Sequence, residues 1–129
     1  MSQLLRLLPV ENIVLDLEAT SKKRVFESAG LLFENNQGIA RSTVYESLFA
    51  REKLGSTGLG YGVAVPHGRI KNLKEAKGAF LRLAAPVPFE SPDGKPVSLL
   101  FVLLVPEHAT EHHLQILSEL AELFSNRAS

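Results

Sequence analysis

The sequence predicts one α/β domain, in which a mixed parallel and antiparallel sheet is flanked by helices as a three-layer sandwich. Segments with helical and with strand periodicity alternate along the 129 residues, as in a sheet covered by helices. Two of the strands are joined by a turn sequence that suits a hairpin, so at least one pair is antiparallel. The length fits one domain, and 45% hydrophobic residues are enough for its core.

Three amphipathic helices are predicted. The first is expected to begin near residue 21, where Thr20 and Ser21 offer caps, and to end at residues 35–38, which contain two asparagines and a glycine. The second is expected from a capping-box pattern, Thr43 followed three residues later by Glu46. Thr110 is expected to cap the last helix. The buried face of that helix is predicted to contain Leu114, Leu117, Leu120, Ala121 and Phe124.

Three strands are predicted at 63–65, 78–83 and 97–105. The turn sequence at 91–94 joins the last two as a hairpin. The strand at 97–105 is apolar on both faces, so we expect it at the centre of the sheet. Glycine occupies four of the eight positions 55–62, which we interpret as a loop, and a second loop is expected at the Pro-His-Gly sequence that follows residue 65.

Composition argues against several classes of function. Fourteen basic residues balance fourteen acidic ones, so no net charge attracts nucleic acid or an anionic membrane. There is no cysteine, which removes disulfides and thiol chemistry. The apolar residues 1–10 lack the features of a signal peptide, and the run 97–105 is far shorter than the ~20 residues of a membrane span. We therefore expect a cytoplasmic protein without membrane insertion or a nucleic-acid partner.

Residues that could bind a ligand or take part in a reaction cluster between positions 51 and 69. Glycines at 58, 60 and 62 allow the backbone to approach a bound group and to direct N–H donors towards it. Ser56 and Thr57 add hydroxyl groups, and Arg51 adds a guanidinium fork that suits phosphate oxygens. The loop lacks the lysine of a P-loop and the third glycine of a dinucleotide fingerprint. The cluster therefore predicts a site for a dianionic oxygen group other than a nucleotide.

His67, between a proline and a glycine, is the candidate nucleophile of this site. A neutral imidazole can attack phosphorus through one nitrogen when an acceptor holds the N–H of the other. The alternative is a loop histidine without a chemical role, and Arg51 could then simply interact with the helix dipole.

A second histidine is placed by helical periodicity. At about 100° per residue, His113 lies near the centre of the apolar stripe of the last helix, whereas His112 lies on its solvent face. His113 would then lie near the carboxyl edge of the sheet and could meet His67. A partly buried histidine near a helix start, without any further role, is an equal alternative.

A metal site is the remaining alternative. His108 and His112 are separated by four residues, which is a zinc-ligand spacing if the helix begins early. No suitably spaced carboxylate accompanies them, so we expect no metal and no cofactor.

The motifs together resemble the IIA domain of fructose, mannitol and nitrogen-regulatory phosphotransferase systems. The residues that carry the resemblance are Arg51-Glu52, Ser56-Thr57-Gly58-x-Gly60-x-Gly62-Val-Ala-Val-Pro-His67-Gly and His113-Leu-x-x-Leu117. The opening residues 8–17, followed by Ser-Lys at 21–22, are more similar to the nitrogen-regulatory branch. The resemblance spans nearly the whole chain, although family members usually continue for another helix and strand beyond Phe124-Ser-Asn.

The resemblance implies a function as a phosphocarrier. His67 would accept a phosphoryl group from the phosphohistidine of a small carrier, HPr or NPr, with His113 and Arg51 beside it. Residues Ser56, Thr57, Gly58 and Gly60 would complete the phosphate site. The regulatory branch would act on partner proteins, such as a transporter or a sensor kinase, through its phosphorylation state. Two alternatives are a sugar-specific IIA domain that passes phosphate to a IIB protein, and a non-catalytic domain that binds an anion or a metal.

Overall fold

The computed structural model describes residues 6–108 and 111–125, and in the last helix it describes the side chains of 115–120, 122 and 123. A short 3₁₀ turn at Val10–Asn12 leads into the first strand. Six strands and three helices follow in the described ranges. They are β1 Ile13–Leu17, α1 Lys22–Gln37, α2 Arg41–Glu52, β2 Gly58–Gly60, β3 Val63–Ala64, β4 His67–Ile70, β5 Lys77–Val87, β6 Val97–Pro106 and α3 Glu111–Ser125.

The strands form one mixed open sheet with the order β1-β5-β6-β3-β2. Strand β6 is central, as its two apolar faces predicted. It pairs antiparallel with β5 on one side and parallel with β3 and β4, end to end, on the other. Strand β1 pairs parallel with β5 and forms an edge. The predicted mixed sheet and the predicted hairpin are confirmed.

Helices cover both faces of this sheet. One core cluster joins α1 and α2 to the face of β6 that carries Leu100, Val102 and Leu104. The other joins α3 to the opposite face, which carries Phe101 and Leu103 among its apolar side chains. Because successive side chains of a strand point to opposite faces, β6 contributes to both cores in alternation. The predicted three-layer arrangement is confirmed.

The ends of α1 agree with the prediction, but the start of α2 does not. The Ser21 hydroxyl accepts a hydrogen bond from the Arg24 amide at 3.1 Å, and Gly38 ends α1 in the left-handed conformation. The predicted capping box at Thr43 is wrong, because α2 already begins at Arg41 without a side-chain cap of its own. A carboxylate from α1 takes that place, since Glu34 Oε2 accepts the Arg41 amide at 3.0 Å.

Strands β2, β4 and β5 also differ from the sequence prediction. Strand β5 continues to Val87 and includes Pro86, which is exposed where the pairing with β6 becomes irregular. The predicted glycine loop contains the short strand β2. His67 was expected in a loop but begins β4, where it pairs with Leu103 of β6. The reason is tertiary, because β6 is long enough to align β4 directly after β3.

The last helix α3 is present where it was predicted. Ile116 and Leu120 are buried in it, whereas the predicted cap Thr110 lies outside the described residues, as do the side chains of Leu114, Ala121 and Phe124. In the described part of the chain, no helix has the length and apolar character needed to cross a bilayer.

Candidate functional site

His67 is the centre of the candidate site, and its ring orientation is determined by the main chain. Its Nδ1 lies 2.9 Å from the carbonyl oxygen of Val65, two residues earlier. A carbonyl accepts but cannot donate, so a neutral imidazole in this position carries its proton on Nδ1. Nε2 then presents an unprotonated lone pair.

The surroundings of His67 favour the neutral ring. Burial lowers the pKa of the imidazole below its ordinary value of 6.5, and the nearby Arg51 and Arg69 guanidinium groups lower it as well. The Val65 carbonyl and the Glu52 carboxylate act in the opposite direction but do not cancel the decrease in pKa. At neutral pH the ring is therefore an available nucleophile.

A cavity of about 180 Å³ lies beside the imidazole. It brings together the helix end, the glycine loop and the start of β4, as the clustering in the sequence predicted. Its described lining consists of Arg51, Ser56, Thr57, Gly58, Leu59, Val65, His67 and Leu117. A wider groove of about 700 Å³, formed largely by α2 and β4, also reaches Arg51, His67 and Leu117. The imidazole is thus accessible from a surface large enough to seat part of another molecule.

Arg51 enters this cavity from the last turn of α2. Its Nη1 donates to the Gly55 carbonyl at 2.9 Å, which holds the guanidinium over the start of the loop. Within the described ranges this is the only hydrogen bond of the side chain, so further N–H groups are available for an anion. A guanidinium held in this way is suited to phosphate oxygens.

The polar groups of Ser56, Thr57 and Gly58 line the cavity but form internal hydrogen bonds. The Ser56 hydroxyl donates to the Phe89 carbonyl at 2.5 Å and accepts the Gly58 amide at 3.0 Å. The Thr57 hydroxyl and amide both donate to the Glu52 carboxylate. These groups therefore shape the cavity wall, and a bound anion would have to compete with the existing partners.

Gly60 occupies a different position from the one expected of a phosphate ligand. It is not among the described cavity residues, and the Asp93 carboxylate lies beside it. The same carboxylate accepts the Tyr61 amide at 2.9 Å. A negative charge here disfavours a second anion, which argues against Gly60 as a phosphate ligand.

His113 is the second histidine predicted for the site. His113 belongs to α3, but its side chain lies outside the described residues. Leu117 of the same helix lines the cavity, so α3 does border the site.

The described residues contain no cluster of three or more potential metal ligands. His108 is almost fully exposed, and its Nε2 lies 3.6 Å from the Glu107 carboxylate. Its proposed zinc partner His112 has no described side chain.

Two residues that influence the His67 ring were not predicted from the sequence. Val65 acts through its carbonyl, for which no sequence signal exists, since every residue has one. Glu52, in contrast, has a signal in the sequence. It continues the buried i, i+4 series Val44, Leu48 of α2, and an acid on an apolar stripe requires a buried partner.

A sequence profile of the family described as "Phosphoenolpyruvate-dependent sugar phosphotransferase system, EIIA 2" matches residues 6–129. The chain belongs to this family and is a IIA component of the phosphotransferase system. This confirms the resemblance inferred from the motifs.

Individual relatives are named as nitrogen regulatory proteins. The chain is 51% identical over 104 residues to the "Nitrogen regulatory protein" of Pseudomonas aeruginosa, covering 80% of this chain and 68% of that one. It is 42% identical over 117 residues to the protein of the same name from Bradyrhizobium diazoefficiens, covering 91% and 76%. The crystal structure of nitrogen regulatory protein IIA-Ntr from Neisseria meningitidis superposes with a TM-score of 0.92 at 58% identity, covering 98% and 86%.

Proposed function

We propose that this protein is a nitrogen-regulatory IIA phosphocarrier, which accepts a phosphoryl group on Nε2 of His67. The observation that carries the proposal is the 2.9 Å contact between His67 Nδ1 and the Val65 carbonyl, inside a cavity that also contains Arg51. This contact leaves Nε2 as the nucleophilic nitrogen, and the imidazole lines the same cavity as the Arg51 guanidinium.

The proposed reaction transfers one phosphoryl group between two histidines. A bond forms between Nε2 of His67 and phosphorus while the bond between phosphorus and the donor's imidazole nitrogen breaks. The proton on Nδ1 of His67 stays in place, and the donor phosphohistidine carries a proton on its other ring nitrogen from the start, so its ring leaves as a neutral imidazole. A loose transition state spreads negative charge over three oxygens, so positioning and the Arg51 cation provide the catalysis.

The proposed donor is the phosphohistidine of an HPr- or NPr-type carrier. The groove of about 700 Å³ that reaches His67 is large enough for part of a protein surface to bring its own histidine close. Phosphorylation would add about −1.5 to −2 charges to this surface. Such a change alters which partner binds there, which is how a regulatory phosphocarrier would act on its targets in the cytoplasm.

The nitrogen-regulatory assignment is supported by the names of the similar proteins, whereas the family description also includes sugar transport. A sugar-specific IIA domain would pass its phosphate to a IIB protein. Incubating the phosphorylated protein with purified IIB proteins and following the loss of phosphohistidine separates the two roles. Rapid transfer to a IIB protein would favour the sugar-specific role.

The central test is the intact mass of the protein after incubation with phosphoenolpyruvate, enzyme I and the HPr-type carrier. The wild type is expected to gain one acid-labile phosphate, and His67→Ala is expected to gain none. His108→Ala is the matched control, because it removes an exposed histidine that lines neither described cavity. Phosphate on the His67→Ala protein, or none on wild type beside a charged carrier, would overturn the proposal.

A further inference from the structure

The Glu52 carboxylate is the most buried charged group near His67. Its side chain is only 4% exposed, and it ends α2 directly after Arg51. Oε1 accepts the Thr57 hydroxyl at 2.6 Å, and Oε2 accepts the Thr57 amide at 3.1 Å. Lys22 Nζ, at the start of α1, lies 2.9 Å from Oε2 and balances the charge. A buried carboxylate costs much free energy unless it is paired in this way.

The bonds from Glu52 continue through the main chain to the imidazole. The Thr57 carbonyl accepts the Val65 amide at 3.0 Å. The Val65 carbonyl in turn accepts Nδ1–H of His67 at 2.9 Å. Glu52, Thr57, Val65 and His67 therefore form one unbroken chain of hydrogen bonds, in which the first member is fixed by a helix end and a lysine.

We propose that Glu52 is a positioning residue for His67, because its carboxylate anchors Thr57, and Thr57 and Val65 transmit that placement to the imidazole. This inference rests on the proposed function, since it concerns the same nucleophile. Glu52 does not line the described cavity, so it acts through other residues and does not touch the phosphoryl group.

Substituting Lys22 together with Glu52 distinguishes the effect of the Glu52 charge from the effect of its hydrogen bonds. Besides Glu52, Lys22 Nζ contacts the Glu90 carboxylate at 3.0 Å and lies 4.6 Å from the centre of the Phe89 ring. In Glu52→Gln the shape remains, but one carboxylate oxygen becomes an NH₂. At the Oε1 position this NH₂ would face the Thr57 hydroxyl, and at the Oε2 position it would face the Thr57 amide and the Lys22 cation. The double variant Lys22→Met/Glu52→Gln removes both charges together and keeps the buried site neutral.

The experiment compares Glu52→Gln, the double variant and Thr57→Val with wild type. Thr57→Val removes only the hydroxyl donor while keeping the size and branching of the side chain. Glu34→Gln is the matched control, since the Glu34 carboxylate also accepts one backbone amide and one cation, both from Arg41, but lines neither cavity beside His67. Folding of each variant is checked by its thermal unfolding temperature.

Two quantities are measured on the folded variants. The first is the tautomer of the His67 ring, from ¹⁵N chemical shifts of the unphosphorylated protein above the pKa of the ring. The second is phosphoryl transfer from the charged HPr-type carrier, as separate kcat and KM. We expect a single Nδ1–H tautomer in wild type and in Glu34→Gln, and a mixture in the other variants. Since a misplacement of about 1 Å can cost about 100-fold, kcat is expected to fall roughly 10- to 100-fold with KM unchanged.

Several results would overturn the inference. A single Nδ1–H tautomer and a wild-type kcat in Glu52→Gln would show that the chain does not position the ring. A raised KM with unchanged kcat would assign Glu52 to carrier docking. If Glu52→Gln fails to fold, the double variant and Thr57→Val decide the same question. The tautomer needs no carrier, so a wild type that takes no phosphate would refute the proposed function while this test still gives an answer.

Discussion

Gly68 is expected to be one of the least replaceable residues of this fold. Helix α2 lies so close to β4 that a Cβ at Gly68 would overlap the Ser47 hydroxyl and approach Ser47 Cβ to 3.0 Å and its main-chain carbon to 3.1 Å. The same hydroxyl donates to the Arg69 carbonyl at 2.8 Å. Gly68→Ala would therefore displace a hydrogen bond and push a helix away from a strand that begins with His67.

The magnitude follows from these two effects. Overpacking against a main chain that cannot move freely costs about 1–3 kcal/mol. Losing the bond between Ser47 and Arg69 adds about 0.5–1.5 kcal/mol. We expect Gly68→Ala to lower the free energy of unfolding by roughly 2–4 kcal/mol, which for a domain of this size lowers Tm by roughly 6–20 °C.

Urea unfolding of a double-mutant cycle tests the explanation and the magnitude together. Ser47→Ala removes the overlapping oxygen, so Gly68→Ala is expected to cost about 1 kcal/mol less in that background than alone. Ser47→Ala by itself is the control for the lost hydrogen bond. A Gly68→Ala protein as stable as wild type, or effects that simply add, would refute the close-packing argument.

Three further predictions follow from the site and from the helix ends. Because the pKa of His67 is lower in the folded protein than its ordinary 6.5, the unfolded chain binds the proton first as the pH falls. The contribution of His67 to the free energy of unfolding is therefore complete above about pH 6.5 and declines below it until the lower folded pKa is reached. Urea unfolding of wild type and His67→Ala at about pH 8 and about pH 5 measures this decline. The free energy of unfolding is expected to decrease less between the two pH values in the variant than in wild type, and equal decreases would contradict the lowered pKa of His67. Arg51→Ala is expected to slow phosphoryl transfer by about 10²–10³-fold, which is the usual cost of losing a hydrogen-bond donor that stabilises negative charge in the transition state of an enzyme. The substitution should also raise the pKa of His67 in an NMR titration, since the Arg51 guanidinium lowers that pKa. An unchanged rate of phosphoryl transfer would show that Arg51 does not take part in the reaction. Ser21→Ala is expected to lower stability by about 1 kcal/mol, whereas Thr43→Ala should change it by no more than about 0.5 kcal/mol; the reverse order in thermal unfolding would restore the capping box at Thr43.

The parts of the fold that depend on local patterns were predictable. The apolar run of β6 indicated a central strand, and Ser21 and Gly38 indicated the ends of α1. The start of α2 was not predictable from its own residues, because the carboxylate that takes the place of a cap comes from Glu34 in the preceding helix. A sequence motif such as Thr43 with Glu46 shows what could cap a helix, whereas tertiary packing decides where the helix begins.

The residues of the candidate site were easier to predict from the sequence than the contacts that these residues make. Clustering in the sequence placed Arg51, Ser56, Thr57 and His67 together, and the structure brings them to one cavity. The hydrogen bonds of that cluster were only partly predictable, because some partners of the loop are distant in the sequence. The acceptor of the Ser56 hydroxyl, for example, is a carbonyl 33 residues further along the chain.

The contact between His67 and Val65 has a consequence for how this protein tolerates mutation. The atom that orients the imidazole is a main-chain oxygen, and any residue at position 65 that keeps the path of the chain supplies the same oxygen. Position 65 is therefore expected to accept other small apolar residues despite its direct contact with the ring. Inactivating changes would instead accumulate at residues that determine the path of the chain, so a survey of random variants would not single out position 65 despite its contact with the proposed nucleophile.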